Sequence, residues 1–165
     1  MQVSNACQPP ERPSIEERAT DSSTLDGTLV LKLGYRGAEF CGFAAQPGRR
    51  TVAGEVERSL QTLLRRDIDL TCAGRTDAGV HAIAQYVSVP VTEAELALPA
   101  RRLMHGLSAL LPDDISPACL YRAPKGFSAR FDARARSYRY RIVAGEARPV
   151  LAWGHSWWLR NELDV

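Results

Sequence analysis

The chain predicts an α+β fold: an antiparallel sheet with two helices on one face, in a ferredoxin-like, split β-α-β arrangement. Three observations carry that expectation. Its candidate elements run strand, helix, strand, strand, helix, strand, which suits a split β-α-β unit better than a doubly wound sheet. Each helical segment has one apolar stripe at helical spacing, and so one face to bury. The two middle strands are joined by a tight connection, residues 73–82.

The elements follow in order. Residues 1–27 are rich in Pro, Ser, Glu and Gln without apolar periodicity, and are expected to form a disordered tail ahead of one domain over 28–165. From Thr28, Leu29, Leu31 and Leu33 alternate with Val30 and Lys32 in a first strand. Gly34-Tyr35-Arg36-Gly37 then turns the chain. Thr51 caps a helix to about Arg66, with Val52, Val56, Leu60, Leu63 and Leu64 on one face and Arg58, Gln61 and Arg65 away from it. Asp67–Cys72 leans to β, and Ile83–Val89 mostly alternates until Pro90 ends it. Pro99 fits a first helical position, and Leu103, Leu107, Leu110 and Leu111 give the second helix its buried stripe. His105 on that helix reads as structural. Leu111-Pro112-Asp113-Asp114-Ile115 closes the helix and enters a strand through about Tyr121. A last strand is expected over 138–142, with Tyr138, Tyr140 and Ile142 on one face and Arg139 and Arg141 on the other.

The totals bound the function. At 165 residues the chain is long enough for one domain with a real core. No run approaches the roughly 18 apolar residues of a membrane helix and the start does not resemble a signal peptide, so the cytoplasm is the expected location. Cys7, Cys41, Cys72 and Cys119 are scattered without a Cys-x-x-Cys pair, which supports neither a zinc site nor a disulfide framework. Cys72, beside the central motif, reads as a small buried residue at a strand end. The net charge of +2 is uneven: residues 1–27 hold five acids and two arginines. Between Arg122 and Arg148, eight basic residues face only Asp132 and Glu146. That stretch reads either as a field suited to a polyanion or as a solvated face.

The densest chemistry lies in Ala73-Gly74-Arg75-Thr76-Asp77-Ala78-Gly79-Val80-His81-Ala82. One carboxylate sits between two glycines, two residues after an arginine and four before a histidine. A scaffold-held loop carrying charge is a common way to build a site. The same residues also read as an ordinary turn with a surface ion pair between Arg75 and Asp77. A second dense stretch is Phe127-Ser128-Ala129-Arg130-Phe131, followed by Arg136-Ser137-Tyr138-Arg139-Tyr140. Interleaved aromatics and guanidinium groups suit RNA, where rings stack on bases and arginines hold phosphates. They equally suit a strand with aromatics in the core and arginines in water.

Gly74–Ala82 resembles the signature of the tRNA pseudouridine synthase A family, and the second stretch resembles its Phe-His-Ala-Arg-Phe segment followed by Arg-x-Tyr-x-Tyr. The Leu111–Ile115 step is also very similar. Ser128 stands where His is frequent in that family. In the first turn Arg36 stands for Asp, Phe43 for Trp and Ala44 for Gln. The resemblance implies conversion of uridine to pseudouridine in the anticodon arm of tRNA, around positions 38 to 40, without metal or organic cofactor. It implies that Asp77 is the nucleophile, that Arg75 takes the space of the extruded base and contacts phosphate, and that Tyr138 packs on the target base and assists proton transfer. Phe127, Arg130, Phe131, Arg136 and Arg139 would hold the RNA, and His81 would touch its backbone or brace the loop. The implied partners are tRNA and a second copy of the chain, with no membrane. The resemblance runs from about residue 28 to the end, over the first half of the family's catalytic region, so little activity is expected of the chain alone. The rival expectations are an RNA-gripping module without chemistry and a fragment that needs a complementary chain. A hydrolase is disfavoured, since a lone Asp lacks a second carboxylate.

Overall fold

A computed structural model describes residues 25–161. The expected disordered tail, residues 1–27, lies outside the described residues except for its last three, and Gly27 already opens the first strand. The main unit contains β1 (Gly27–Tyr35), α1 (Val52–Leu64), β2 (Thr71–Cys72), β3 (Ala82–Val91), the short α2 (Glu93–Leu96), α3 (Ala100–Leu110) and β4 (Ile115–Pro124). Its sheet has the order β2-β3-β1-β4, every pair antiparallel. This is the expected α+β, split β-α-β arrangement. A separate parallel pair follows, β5 (Ile142–Ala144) with β6 (Trp157–Leu159).

The period of each element explains its place. Leu29, Leu31, Leu33 and Tyr35 of β1 point to one face with Val87, Val89 and Val91 of β3. Val52, Val56 and Leu60 of α1 and Leu103 and Leu107 of α3 close over them. Arg122 of β4 lies on this face too, and its guanidinium donates to the carbonyls of Leu96 and Leu98 at 2.7 Å each. On the opposite face Thr28, Val30 and Ser88 are also buried. The chain after β4 crosses them, and Ala129 N–H donates to Ser88 Oγ at 2.9 Å.

Thr51 does cap α1, accepting from Gly54 N–H at 3.3 Å. The helix stops at Leu64 because Arg65 turns left-handed (φ 57°), two residues earlier than the sequence suggests. A Thr92/Glu95 capping box starts α2, a helix the sequence reading missed. Pro99 precedes α3 as its N-cap rather than forming its first helical residue. Only Thr71 and Cys72 of the β-leaning run pair as a strand.

Pro90 does not end β3, which continues to Val91. Backbone polar groups alternate from side to side along a strand, and Tyr86 accepts from Ala73 N–H on the β2 side. Pro90 faces that same side, two residues past Ser88, where pairing with β2 ends. A missing N–H there breaks no ladder bond, and the Pro90 carbonyl accepts from Arg66 at 2.8 Å. Leu110 is not part of the buried stripe: it is 42% exposed, and Leu111 at the helix end is buried instead.

The expected strand over 138–142 does not form, since only Ile142 of that run joins β5. The segment from Phe127 folds back over the sheet and is pinned at Ala129, so Tyr138 arrives beside Gly74 and not along an open edge. Alternation without a neighbouring strand makes no ladder. Tyr138 and Tyr140 are accordingly 65% and 90% exposed, not core. Among the described residues no helix is long and apolar enough to cross a membrane.

The core assignment predicts a contrast. Leu31→Ala should lower stability by about 3 kcal/mol in urea unfolding, as buried leucine truncations do. Leu110→Ala should change it by less than about 0.5 kcal/mol. Equal losses would return Leu110 to the core.

Candidate active site

The loop between β2 and β3 carries Arg75, Asp77 and His81, and its shape is set from beneath. Thr76 C=O accepts from Phe43 N–H at 2.9 Å, and Val80 N–H closes a turn on Asp77 C=O at 3.3 Å. Gly79 takes φ 79°, the left-handed region that glycine enters without penalty. The turn after β1 presses on this loop. Gly42 has φ 93°, and a methyl there would stand 3.1 Å from Thr76 C=O; a methyl on Gly37 would strike the Val80 carbonyl.

Asp77 and Arg75 are both exposed. Among the described residues they form no ion pair with each other, so the surface ion-pair reading of this turn is not what the structure has. Cys72, at the foot of the loop, is half-buried rather than buried. Burial pushes its thiol above the ordinary range, while the Arg75 and Arg130 charges pull it down. Two guanidinium groups therefore flank this end of β2.

The second motif reaches the same loop. Arg136 Nε donates to Ala73 C=O at 2.6 Å and its Nη2 to Arg130 C=O at 3.0 Å. A methyl at Gly74 would meet Arg136 Cδ at 3.1 Å and the Tyr138 hydroxyl at 3.7 Å. Arg136 and Tyr138 thus stand against the base of the Asp77 loop, at Ala73 and Gly74. The Ser128 N–H donates to Asp132 Oδ2 at 2.8 Å, which shapes the turn that presents Phe127 and Arg130. Phe131 is exposed with the Arg130 guanidinium 5.4 Å from its ring centre. Phe127 is half-buried, and Arg139 stands exposed away from these contacts.

His81 is a brace. Its Nδ1 accepts from Gly37 N–H at 3.3 Å, so Nε2 carries the proton donated to Gly154 C=O at 2.9 Å. Its ring lies 4.7 Å from that of His155. The region beyond β5 is rich in aromatic–cation contacts: Arg148 sits 4.6 Å from the Trp153 ring centre, and Arg160 5.1 Å from that of Trp158. Trp153 and Trp157 are exposed. Among the described residues no cluster of His, Cys, Asp and Glu is arranged to hold a metal ion.

Three residues went unnoticed in the sequence. Tyr35 OH lies 2.8 Å from Thr76 Oγ1, and the Gln85 amide reaches both the Gly74 carbonyl and Tyr35. Gln85 had a legible signal: it shares the phase of Val87, Val89 and Val91, where a polar side chain is out of place.

An α+β unit with an exposed carboxylate on a glycine-bounded loop, and arginines and aromatics converging on that loop, is the class these observations define. No family model matches the chain. It is 44% identical over 139 residues to tRNA pseudouridine synthase A of Streptomyces griseus, covering 82% of this chain and 49% of that protein. The same enzyme of Bifidobacterium animalis is 42% identical over 154 residues, covering 83% and 50%, and that of Dictyoglomus thermophilum 39% over 134, covering 81% and 54%. The chain is therefore a relative of the tRNA pseudouridine synthase A family, and it spans about half the length of the curated relatives it matches.

The site carries a pH prediction. Burial, the largest influence, raises the Tyr35 hydroxyl above its usual range against the opposing bonds from Thr76 and Gln85. A raised folded value means the stabilisation is whole below the unfolded value near pH 10 and is lost as pH climbs through the folded one. Wild-type stability should fall as pH rises above about 10, and Tyr35→Phe should flatten that fall in melts taken at increasing pH. An unchanged slope would assign it to another group.

Proposed function

We propose that this chain carries the catalytic loop of a tRNA pseudouridine synthase that isomerises uridine in the anticodon arm of tRNA. The observation that carries the reading is Asp77, exposed on its glycine-bounded loop, in a chain 44% identical over 82% of its length to a tRNA pseudouridine synthase A. The Asp77 carboxylate adds covalently to the substrate and leaves again. In the net change the N1–C1′ bond breaks and the C5–C1′ bond forms, while the proton on C5 is lost and N1 gains one. A carboxylate, a polar hydroxyl and a held base suffice, so no metal or organic cofactor is required.

A base within an RNA stem must leave its stack to be reached. Arg75, exposed two residues before Asp77, takes the vacated space and meets phosphate. Tyr138 stacks on the target ring and assists proton transfer. Arg130, Phe131, Phe127 and Arg139 hold the RNA, with Phe131 offering an exposed ring. Arg136 joins them while tying its segment to Ala73. The enzyme works in the cytoplasm as a homodimer, and the 165 residues by themselves turn over poorly. A non-catalytic RNA-gripping module is the second reading. It is favoured by the Asp77 carboxylate having no basic side chain bound to it among the described residues.

Asp77→Asn keeps the size and removes the nucleophile. In the complete enzyme it should abolish pseudouridine formation, read by nucleoside mass spectrometry, and leave tRNA affinity within about threefold, about 0.7 kcal/mol. Turnover by that variant would sink the assignment. Affinity should also fall steeply with salt, and neutralising Arg130 and Arg139 should weaken binding and flatten the slope by about two phosphate contacts. The chain alone should be nearly inactive and gain activity when the remaining half is added as a second polypeptide. Inactivity of the complete enzyme with intact binding would establish the gripping module.

A further inference from the structure

Beneath the loop lies a buried polar strut that the reaction described above does not use. Tyr35 and Gln85 sit on the helix-covered face of the sheet, beside Leu33 and Val87, and both are almost wholly buried. Apolar side chains fit such positions at less cost, because a buried polar atom is expensive unless it is bonded. Both residues direct their polar atoms at the loop. Tyr86 N–H donates to Gln85 Oε1 at 3.1 Å, which fixes the amide's orientation and turns its nitrogen toward the Gly74 carbonyl. The same nitrogen approaches the Tyr35 hydroxyl oxygen at 3.5 Å. The Tyr35 hydroxyl shares a hydrogen bond with Thr76 Oγ1, 2.8 Å away. With Phe43 N–H on Thr76 C=O, the two sides of Arg75 are held at three points immediately ahead of Asp77.

We propose that Tyr35, Thr76 and Gln85 are positioning residues for Asp77: they fix where its carboxylate stands without touching the RNA. The proposal rests on Asp77 being the nucleophile. A nucleophile displaced by about an ångström can lose rate about a hundredfold. Binding of the RNA, carried by exposed arginines and aromatics, is spared. The strut's burial also keeps water from competing for its bonds, so the loop is held before substrate arrives.

The test uses the complete enzyme and three variants: Tyr35→Phe, Thr76→Val and Thr76→Ser. Single-turnover pseudouridine formation at saturating tRNA should slow about 10- to 100-fold in the first two. Their tRNA Kd should stay within about twofold, and Thr76→Ser, which keeps the hydroxyl, should stay within about threefold of wild type. The double variant Tyr35→Phe/Thr76→Val should be no slower than the slower single one, because one bond is removed twice. Amide hydrogen exchange over residues 75–80 should accelerate in Tyr35→Phe and Thr76→Val while α1 and α3 keep their protection. Unchanged rates, a Thr76→Ser variant as slow as Thr76→Val, or unchanged loop exchange would overturn the proposal. If the wild-type enzyme forms no pseudouridine, the nucleophile reading falls, and loop exchange alone then decides whether the strut positions the loop.

Discussion

The site depends on one close approach between backbones. The chain leaving β1 passes under the β2–β3 loop at Gly37 and Gly42, where no side chain fits: Val80 blocks the first, and Thr76 together with a φ of 93° blocks the second. Those few residues also start α1. Val52 N–H donates to Gly42 C=O and Ala53 N–H to Phe43 C=O, so the helix's first donors are satisfied by the same turn whose Phe43 N–H holds Thr76. Strand, helix and loop are thereby one unit. Phe43 anchors it from inside, buried with its ring centre 6.2 Å from that of Tyr35.

Period and chemistry made much of this legible. The leucines of β1 and the valines of β3 alternate, the α1 stripe repeats at helical spacing, and Thr51 announces its cap, so the split β-α-β order follows from the sequence. Asp77 between its glycines marked the loop. Readings failed where a neighbour decides the outcome. Pro90 looked like a terminator because the sequence does not say which side of a strand lacks a partner. Tyr138–Ile142 looked like a strand because alternation does not say whether an edge is available to it. Leu110 fitted the helical stripe, yet the helix turns it outward and gives the place to Leu111. Gln85 was legible as a polar residue in phase with the buried valines, but its partners Gly74 and Tyr35 lie 11 and 50 residues away. Only the fold brings them together.

The basic stretch shows how charges counted along a chain overstate the donor groups left free for a ligand. Arg122 is spent on the carbonyls that end α2, Arg136 on Ala73 and Arg130 carbonyls, and Arg148 on tryptophan rings. Each keeps its positive charge but gives up donor directions to the fold. All eight basic residues are exposed, Lys125, Arg134, Arg139 and Arg141 without such a contact among the described residues, and Arg130 lies over the Phe131 ring. The field of the stretch is thus split between architecture and surface, and Arg136 serves the loop on which Asp77 stands.

All three tryptophans of the protein, Trp153, Trp157 and Trp158, lie in the short segment around β6, and none is in the main core. Indole emission therefore reports the environment of the β5–β6 pair, whereas far-ultraviolet circular dichroism is dominated by α1, α3 and the four-stranded sheet. A denaturation curve followed by fluorescence and one followed by dichroism watch different parts of the molecule. Their superposition is a direct gauge of whether the His81 contact with Gly154 couples the tryptophan segment to the main unit, because coincident probes are the mark of a single cooperative transition. A fluorescence midpoint lying below the dichroism midpoint would mean that the small sheet detaches first and leaves the loop's fold standing.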